Sequence, residues 1–305
     1  MVALRVTAPR NLSILLKQID SIMDKKDTQS PDPIAIADPH MHRVEPGSTV
    51  HLSQVATNGR DIYPHKRKVA EKEFKALREE LAEWQHKLYS AGKHSLLIVL
   101  QAMDAGGKDG TIRRVFEGVN PQGVKVASFK APTSEELSHD FLWRIHQEAP
   151  AKGMIGVFNR SHYEDVLIVR VLNLVPQSIW EPRYQHINNF ENLLADSGTI
   201  IRKFYLHISK DEQKERLQER LDDPTKHWKF DAGDLKQRAH WDKYQEAFAD
   251  MLGRCSTETA PWYVIPANQK WYRNLAITRV LVHTLRELNP QYPENSDDLS
   301  KIKID

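Results

Sequence analysis

Apolar residues recur along this chain with two different periods, and the switches between them divide it into elements. Over 66–89, Phe74, Leu77, Leu81, Trp84 and Leu88 fall at three- and four-residue spacing with Glu and Lys between them. That spacing predicts an amphipathic helix, which Gly92 ends. Apolar runs at 95–100, 124–128, 154–158, 200–208 and 262–265 predict strands. Helical patterns lie between and after them. Thr133 with Glu136, and Ser209 with Glu212, are capping boxes that open helices over 133–148 and 210–221. The first of these turns Leu137, Phe141, Leu142 and Ile145 inward. Further helices are predicted over 112–117, 176–194, 234–252 and 271–288. Strands that alternate with helices predict an α/β fold with a five-stranded parallel sheet.

The ends read differently. Residues 1–60 form an N-terminal extension, partly irregular, with Pro31 and Pro33 in a polar stretch. Within it, Leu12, Leu15 and Ile19 with Arg5, Arg10 and Lys17 can form a short basic amphipathic helix. Residues 61–290 carry the domain, and 291–305 are a polar tail.

The first strand runs into Gln101-Ala102-Met103-Asp104-Ala105-Gly106-Gly107-Lys108-Asp109-Gly110-Thr111 and then a helix. Strand, glycine-rich turn, lysine and helix are the setting of a phosphate-binding loop. Gly106, Gly107 and Gly110 let the backbone wrap several N–H groups round one anion, and the helix start adds its positive end. Ala105, Asp109 and Thr111 complete the turn, and Lys108 brings a full charge to a phosphate oxygen. Two positions depart from G-x-x-x-x-G-K-[ST]. Ala102 replaces the first glycine, and Asp109 replaces the hydroxyl that binds Mg²⁺. Asp104 is the carboxylate inside the loop that can take over. A plain strand-to-helix turn is the simpler reading, and a second polar cluster argues against it. Asn159-Arg160-Ser161-His162-Tyr163-Glu164-Asp165 follows the third strand, and ligands of open parallel sheets sit beyond the carboxyl ends of strands. Ser161 as a helix cap explains part of this cluster but not Arg160 at a strand end.

Composition narrows the classes. The chain has 305 residues, 40% hydrophobic and 28% charged, which suits a globular protein of one large or two small domains. A net charge of +2, from 43 basic and 41 acidic residues, gives no general affinity for nucleic acid or membrane. Any polyanion site is therefore a local concentration of Lys and Arg. Cys255 is the single cysteine, which excludes an internal disulfide and suits a reducing cytoplasm. The histidines show no H-E-x-x-H spacing. No apolar run reaches a membrane span, and the first residues lack the core of a secretory signal.

Four segments in order resemble one family. Residues 103–111 resemble the Walker A motif of family-2 polyphosphate kinases, and 158–165 resemble their Walker B region. Lys226-His227-Trp228-Lys229-Phe230 resembles the start of their lid. Residues 261–266 and 270–274 resemble their C-terminal strand and helix. The likeness runs from about residue 41 to about 288. It implies a P-loop kinase-like three-layer sandwich with a helical lid near 222–253. It also implies phosphoryl transfer between inorganic polyphosphate and a nucleotide with Mg²⁺, in a homodimer or homotetramer. Asn159 and Glu164 resemble the class III spelling, whose members phosphorylate both AMP and ADP, making ADP and ATP. The catalytic group is then Asp104, Lys108, Asn159, Arg160 and Glu164. Asn159 stands where many members carry Asp, so Asp104 is the first metal ligand, with Glu164 or Asp165 as help.

Phosphoryl transfer asks mainly for alignment and charge neutralisation, which Lys108, the loop amides and the Arg160 fork would supply. A polyphosphate chain needs a basic path. Arg113, Arg114, Lys130, Arg170, Lys226 and Lys229 can line one, although each also reads as a solubilising charge. Trp228 and Phe230 beside Lys229 favour function there. An ATP-dependent nucleotide or small-molecule kinase of similar fold is the nearest rival. A non-catalytic sensor would not need Lys108, Asp104 and Arg160 together, and the near-neutral charge disfavours a nucleic-acid binder.

Overall fold

The computed structural model describes residues 38–297 together with Leu299, Ile302 and Ile304. The basic amphipathic stretch around Leu12, Leu15 and Ile19 lies outside them. Strands β1 (Ser95–Gln101), β2 (Val124–Ser128), β3 (Ile155–Asn159), β4 (Thr199–His207) and β5 (Trp262–Pro266) form one parallel sheet in the order β2-β3-β1-β4-β5. Every residue of β1 is buried, which is why its spelling is continuously apolar rather than alternating. Leu100 pairs with Asn159 on one side and with Phe204 on the other. The ends of β1 and β3 are therefore level, and the loops that leave them face each other.

The strand order fixes the layers. Helix α1 (Arg67–Ala91) precedes β1 and α2 (Lys108–Val115) follows it. Short helices α3 (Ser134–Leu137) and α4 (Trp143–His146) join β2 to β3. Helices α5 (Ile168–Val171), α6 (Gln177–Trp180) and α7 (Arg183–Asp196) join β3 to β4. Helices α8 (Lys210–Asp222), α9 (Ala232–Ala239) and α10 (Trp241–Cys255) join β4 to β5, and α11 (Lys270–Leu288) ends the domain. The β1-to-β2 crossover runs toward one margin of the sheet, and the β3-to-β4 and β4-to-β5 crossovers run toward the other. Right-handed crossovers then put α2 on one face and α7 and α10 on the opposite face. Helix α11 packs on α1 and α2 and is buried almost all round. Two bidentate pairs, Arg279 with Glu73 and Arg286 with Glu80, lock α11 to α1.

Three predicted helices are divided. The 133–148 span becomes α3 and α4, because Ser138 folds back onto the Glu135 carbonyl and Asp140 accepts from the Leu142 amide. Leu137, expected inside, is 69% exposed, while Ile145 is buried. Pro182 separates α6 from α7. His240 separates α9 from α10, and α10 buries Ala247, Phe248, Met251 and Leu252 in the core. Within the lid expected near 222–253, residues 223–240 are mostly exposed and one face of α10 packs on the core.

Residues 38–63 form a strap along β5 and α11. Val44 N donates to Trp262 O at 2.8 Å, and Val264 N donates to His42 O at 2.9 Å. Asn268 N donates to Thr57 O at 3.0 Å, and Leu52 O receives the buried His207 ring. His42 Nε2 lies 2.8 Å from the Tyr272 hydroxyl. Burial, with the positive charge of Arg279, pulls the His42 pKa down to about 4. An imidazole in the unfolded chain titrates near ~6.5. The fold therefore holds the neutral ring. Its contribution is complete above pH ~6.5 and is lost as pH falls to about 4, by at most ~3 kcal/mol. We expect His42→Phe to flatten the decline of unfolding free energy across that window, measured by urea melts at several pH values. An unchanged slope would assign the acid sensitivity to another group.

Candidate active site

The loop after β1 turns through two left-handed residues, Ala105 (φ 60°) and Gly107 (φ 101°). A side chain on Gly106 would come within 2.5 Å of the Ala102 Cβ, and one on Gly107 within 2.2 Å of Arg273 Nη1. Glycine is needed at both. The loop carbonyls are all occupied. Lys108 Nζ donates to Ala102 O (3.2 Å) and Gly106 N to Met103 O (2.9 Å). Gln213 Nε2 donates to Asp104 O (3.0 Å), and Arg216 Nη1 to Ala105 O (3.1 Å) and Gly106 O (3.0 Å). Thr111 Oγ1 donates to Gly107 O (3.1 Å), so this buried hydroxyl serves the backbone rather than a ligand.

The loop after β3 meets it across the crevice. Arg160 adopts φ 62°, a conformation costly outside glycine and typical of constrained sites. Its backbone N donates to Leu100 O, and its Nη2 donates to Asp104 Oδ1 at 2.9 Å. Asn159 Nδ2 donates to Asp109 Oδ1 at 2.7 Å. Glu164 stands in the 3₁₀ turn His162–Val166, which Ser161 caps. Oriented by its neighbours, the Gln101 amide donates to Glu164 Oε1 (3.1 Å) and accepts from Ser161 Oγ (3.1 Å). Burial raises the Glu164 pKa against the pull of Arg160 and Lys108. Burial, then Arg160, lowers that of Lys108. Two cations and two carboxylates thus share one partly dehydrated patch.

Two cavities meet at this patch. The larger, about 630 Å³, is lined by ten basic and four acidic side chains, a local excess in a near-neutral chain. Lys108, Arg113, Lys130, Lys226 and Lys229 are among them, with Ala105, Gly106, Gly107, Asp109 and Gly110 of the loop. Lys226 also pairs with Glu219 (2.6 Å) and Asp223 (2.9 Å). Lys229 lies 4.8 Å over the Trp228 ring, which is 79% exposed at the tip of the cover. The smaller cavity, about 180 Å³, shares Asp104, Arg160 and Asp234 with the first. It adds Glu164 and Asp231 to an apolar wall of Met103, Leu167, Ile168, Tyr244 and Phe248.

Four expected site residues stand outside both cavities, the first being Thr111 on the Gly107 carbonyl. Asp165, expected as a metal ligand, turns to Arg183 at 2.8 Å, and burial lifts its pKa to about 6. Arg170, expected on the phosphate path, pairs with Asp250 (2.6 Å) and lies over Trp180. Arg114 pairs with Glu117 at 3.4 Å. Other residues were not singled out individually by the sequence. Arg216, besides the two loop carbonyls, donates to Ala267 O (2.6 Å) and Asn268 O (3.1 Å) and pairs with Glu212 (2.7 Å). Arg273 is 3% exposed against the loop, and its side-chain bonds go to Asn274 Oδ1 rather than to a carboxylate. Burial, then Arg216, lowers its pKa to about 9. Spacing gave no warning of Arg216, since an arginine on a charged helix reads as solvated, and Arg273 stood out only as part of the 270–274 likeness.

The family profile for Polyphosphate kinase 2 (PPK2) matches residues 64–293. An AMP/ADP-polyphosphate phosphotransferase of Meiothermus ruber is 54% identical over 264 residues, covering 87% of this chain and 99% of that protein. An ADP-polyphosphate phosphotransferase of Rhodopseudomonas palustris is 44% identical, covering 83% and 92%. The crystal structure of Polyphosphate Kinase 2 from Arthrobacter aurescens TC1 superposes with a TM-score of 0.84 at 45% identity, covering 88% and 96%.

Arg216→Met should strand buried loop carbonyls without donors. A loss of ~3 kcal/mol or more is expected, the scale for removing one partner of a buried charged network. Chemical unfolding measures it, and a stability within ~0.5 kcal/mol of wild type would mean that the loop holds its shape alone.

Proposed function

The chain belongs to the polyphosphate kinase 2 family, and on that premise we propose how its site transfers phosphate from inorganic polyphosphate to AMP and ADP, making ADP and ATP. The observation that carries the reading is the pairing of a basic cleft with a smaller acidic and apolar cavity at the Asp104–Arg160 contact. A polyphosphate chain carries about one charge per phosphate, and the long cleft repeats positive charge along its walls. A nucleoside offers an apolar base behind its phosphate, which suits the second cavity. The reacting phosphates then meet where the two cavities join.

Lys108 and the free N–H groups of the loop bind and orient the donor end. Arg160 faces the transferred group from the β3 side, and Asn159 holds Asp109 beside it. The exposed segment with Lys226, Trp228 and Lys229 covers the cleft and excludes water, which would otherwise accept the phosphate. Among the described residues no group of three or more His, Cys, Asp or Glu side chains is placed to hold a metal. Mg²⁺ needs only one or two carboxylates beside phosphate oxygens, so Asp104 with Glu164 fits it. When bound there it would neutralise charge between donor and acceptor. The buried Cys255 and adenine nucleotide substrates suit the cytoplasm, and family likeness suits a homo-oligomer.

The test is a transfer assay with polyphosphate as donor and AMP, ADP or GDP as acceptor, without added ATP. Product from AMP and ADP is expected, and transfer that requires ATP would favour an ATP-dependent kinase instead. Lys108→Met in the same assay should lose at least ~10²-fold while melting like wild type, because the ammonium acts on moving charge. Near-normal turnover would remove the loop from the mechanism.

Glu164 concerns acceptor choice. AMP is one phosphate shorter than ADP, so its phosphate must reach deeper to meet the donor. A carboxylate facing two phosphates directly would repel them, so Glu164 would act by holding a cation that screens them. Glu164→Asn should therefore lower kcat/KM for AMP about tenfold more than for ADP, a difference of ~1.4 kcal/mol. Equal losses for both acceptors at saturating polyphosphate and matched Mg²⁺ would end this role.

A further inference from the structure

We infer that α7, through Glu191 with its partner Lys203 and through Arg183, is a positioning element that aims Glu164 into the acceptor cavity. The inference rests on the acceptor-side role of Glu164.

The turn His162–Val166 is gripped from behind. Glu191 and Lys203 are 1% and 0% exposed and pair at 2.5 Å. Lys203 Nζ also donates to the Tyr163 hydroxyl (2.7 Å) and to Cys255 O (2.6 Å), so all three of its protons are used. The Tyr163 hydroxyl donates to Glu191 Oε1 at 2.8 Å, and the His162 Nε2 stands 3.1 Å from the same oxygen. Burial opposes the charge on Glu191, yet Lys203 and His162 hold its carboxyl below the ordinary range. Eight residues earlier on α7, Arg183 Nη1 donates to both Asp165 Oδ1 (2.8 Å) and Asp165 O (3.3 Å).

A 3₁₀ turn has about three residues per turn, so positions 162 and 165 eclipse one another. Helix α7 holds both of those, and Glu191 with Lys203 holds position 163. Of the polar residues of the turn Glu164 is the one left over, and it lies against Gln101 and lines the acceptor cavity. The turn follows Arg160, whose left-handed backbone persists only where its surroundings over-determine it. Stability alone does not call for such a network. A buried ion pair can often be exchanged for apolar side chains of similar volume at no loss. What the network adds is one fixed direction for the turn.

The experiment compares the double variant Lys203→Met/Glu191→Leu with Arg183→Met, whose side chain is 15% exposed and whose removal spares the core. Melting temperature is measured beside kcat and KM with AMP, with ADP and with polyphosphate. A fall in kcat/KM for AMP of ~10-fold or more, with a smaller fall for ADP, is expected, the scale for losing an outer partner of a functional ligand. KM for polyphosphate should stay within about twofold, because α7 and Lys203 do not line the donor cleft. In a Glu164→Asn background both network changes should add little further loss, since they act through that residue. Folded variants with wild-type AMP kinetics, even if less thermostable, would overturn the inference and leave the Glu164 role standing. If the double variant does not fold, Arg183→Met decides alone. If Glu164→Asn does not disturb AMP transfer, the acceptor reading and this inference fail together.

Discussion

A loop that offers its N–H groups to an anion must dispose of its carbonyls somewhere else. Here the donors come from two places, the loop's own Lys108 and Gly106 and the side chains Gln213 and Arg216 of α8. Arg216 then reaches the carbonyls that follow β5, so one guanidinium joins three parts of the chain behind the phosphate site. The glycines of the loop are tolerable only because these contacts remove the freedom glycine would otherwise have. Helix α8 is for this reason a structural part of the site, although its sequence is mostly charged and its outer face is solvated.

The site's electrostatics follow from the same economy of placement. Arg273 brings a buried positive charge to the loop with no carboxylate paired to it among the described residues, and Arg216 is spent on carbonyls and Glu212. The cleft therefore keeps its positive field, and two of its four acids, Asp104 and Asp234, lie on the side shared with the smaller cavity. A near-neutral chain can in this way attract a polyanion without a basic surface overall.

Much of the site was legible because it is local. Strand, loop and helix around Lys108 are adjacent in sequence, and the register of β1 with β3 brings the second cluster beside them. Illegible features depend on contacts across long separations. Neither Arg216 nor Arg273 shows its contact with the loop until α8 and α11 are packed against it. Glu164 and Asp165 are neighbours of like chemistry, and only the geometry of a 3₁₀ turn sends one to Gln101 and the other to Arg183. Leu137 fits a core spacing, but Asp140 inside the pattern takes the Leu142 amide and ends the helical run before that spacing can act.

The strap along β5 has a consequence for the order in which the chain can fold. Its hydrogen bonds join His42 and Val44 to Trp262 and Val264, among the most separated contacts in the described chain. During synthesis the strap therefore emerges long before the strand it covers. Until β5 arrives, residues 38–63 lack most of their docking surface, and β4 lacks one neighbour. Closing a loop of this length delays the pairing more than it weakens the finished contact. The last margin of the sheet to be sealed is thus covered by the earliest of these segments to be made, and an interrupted chain would leave both exposed.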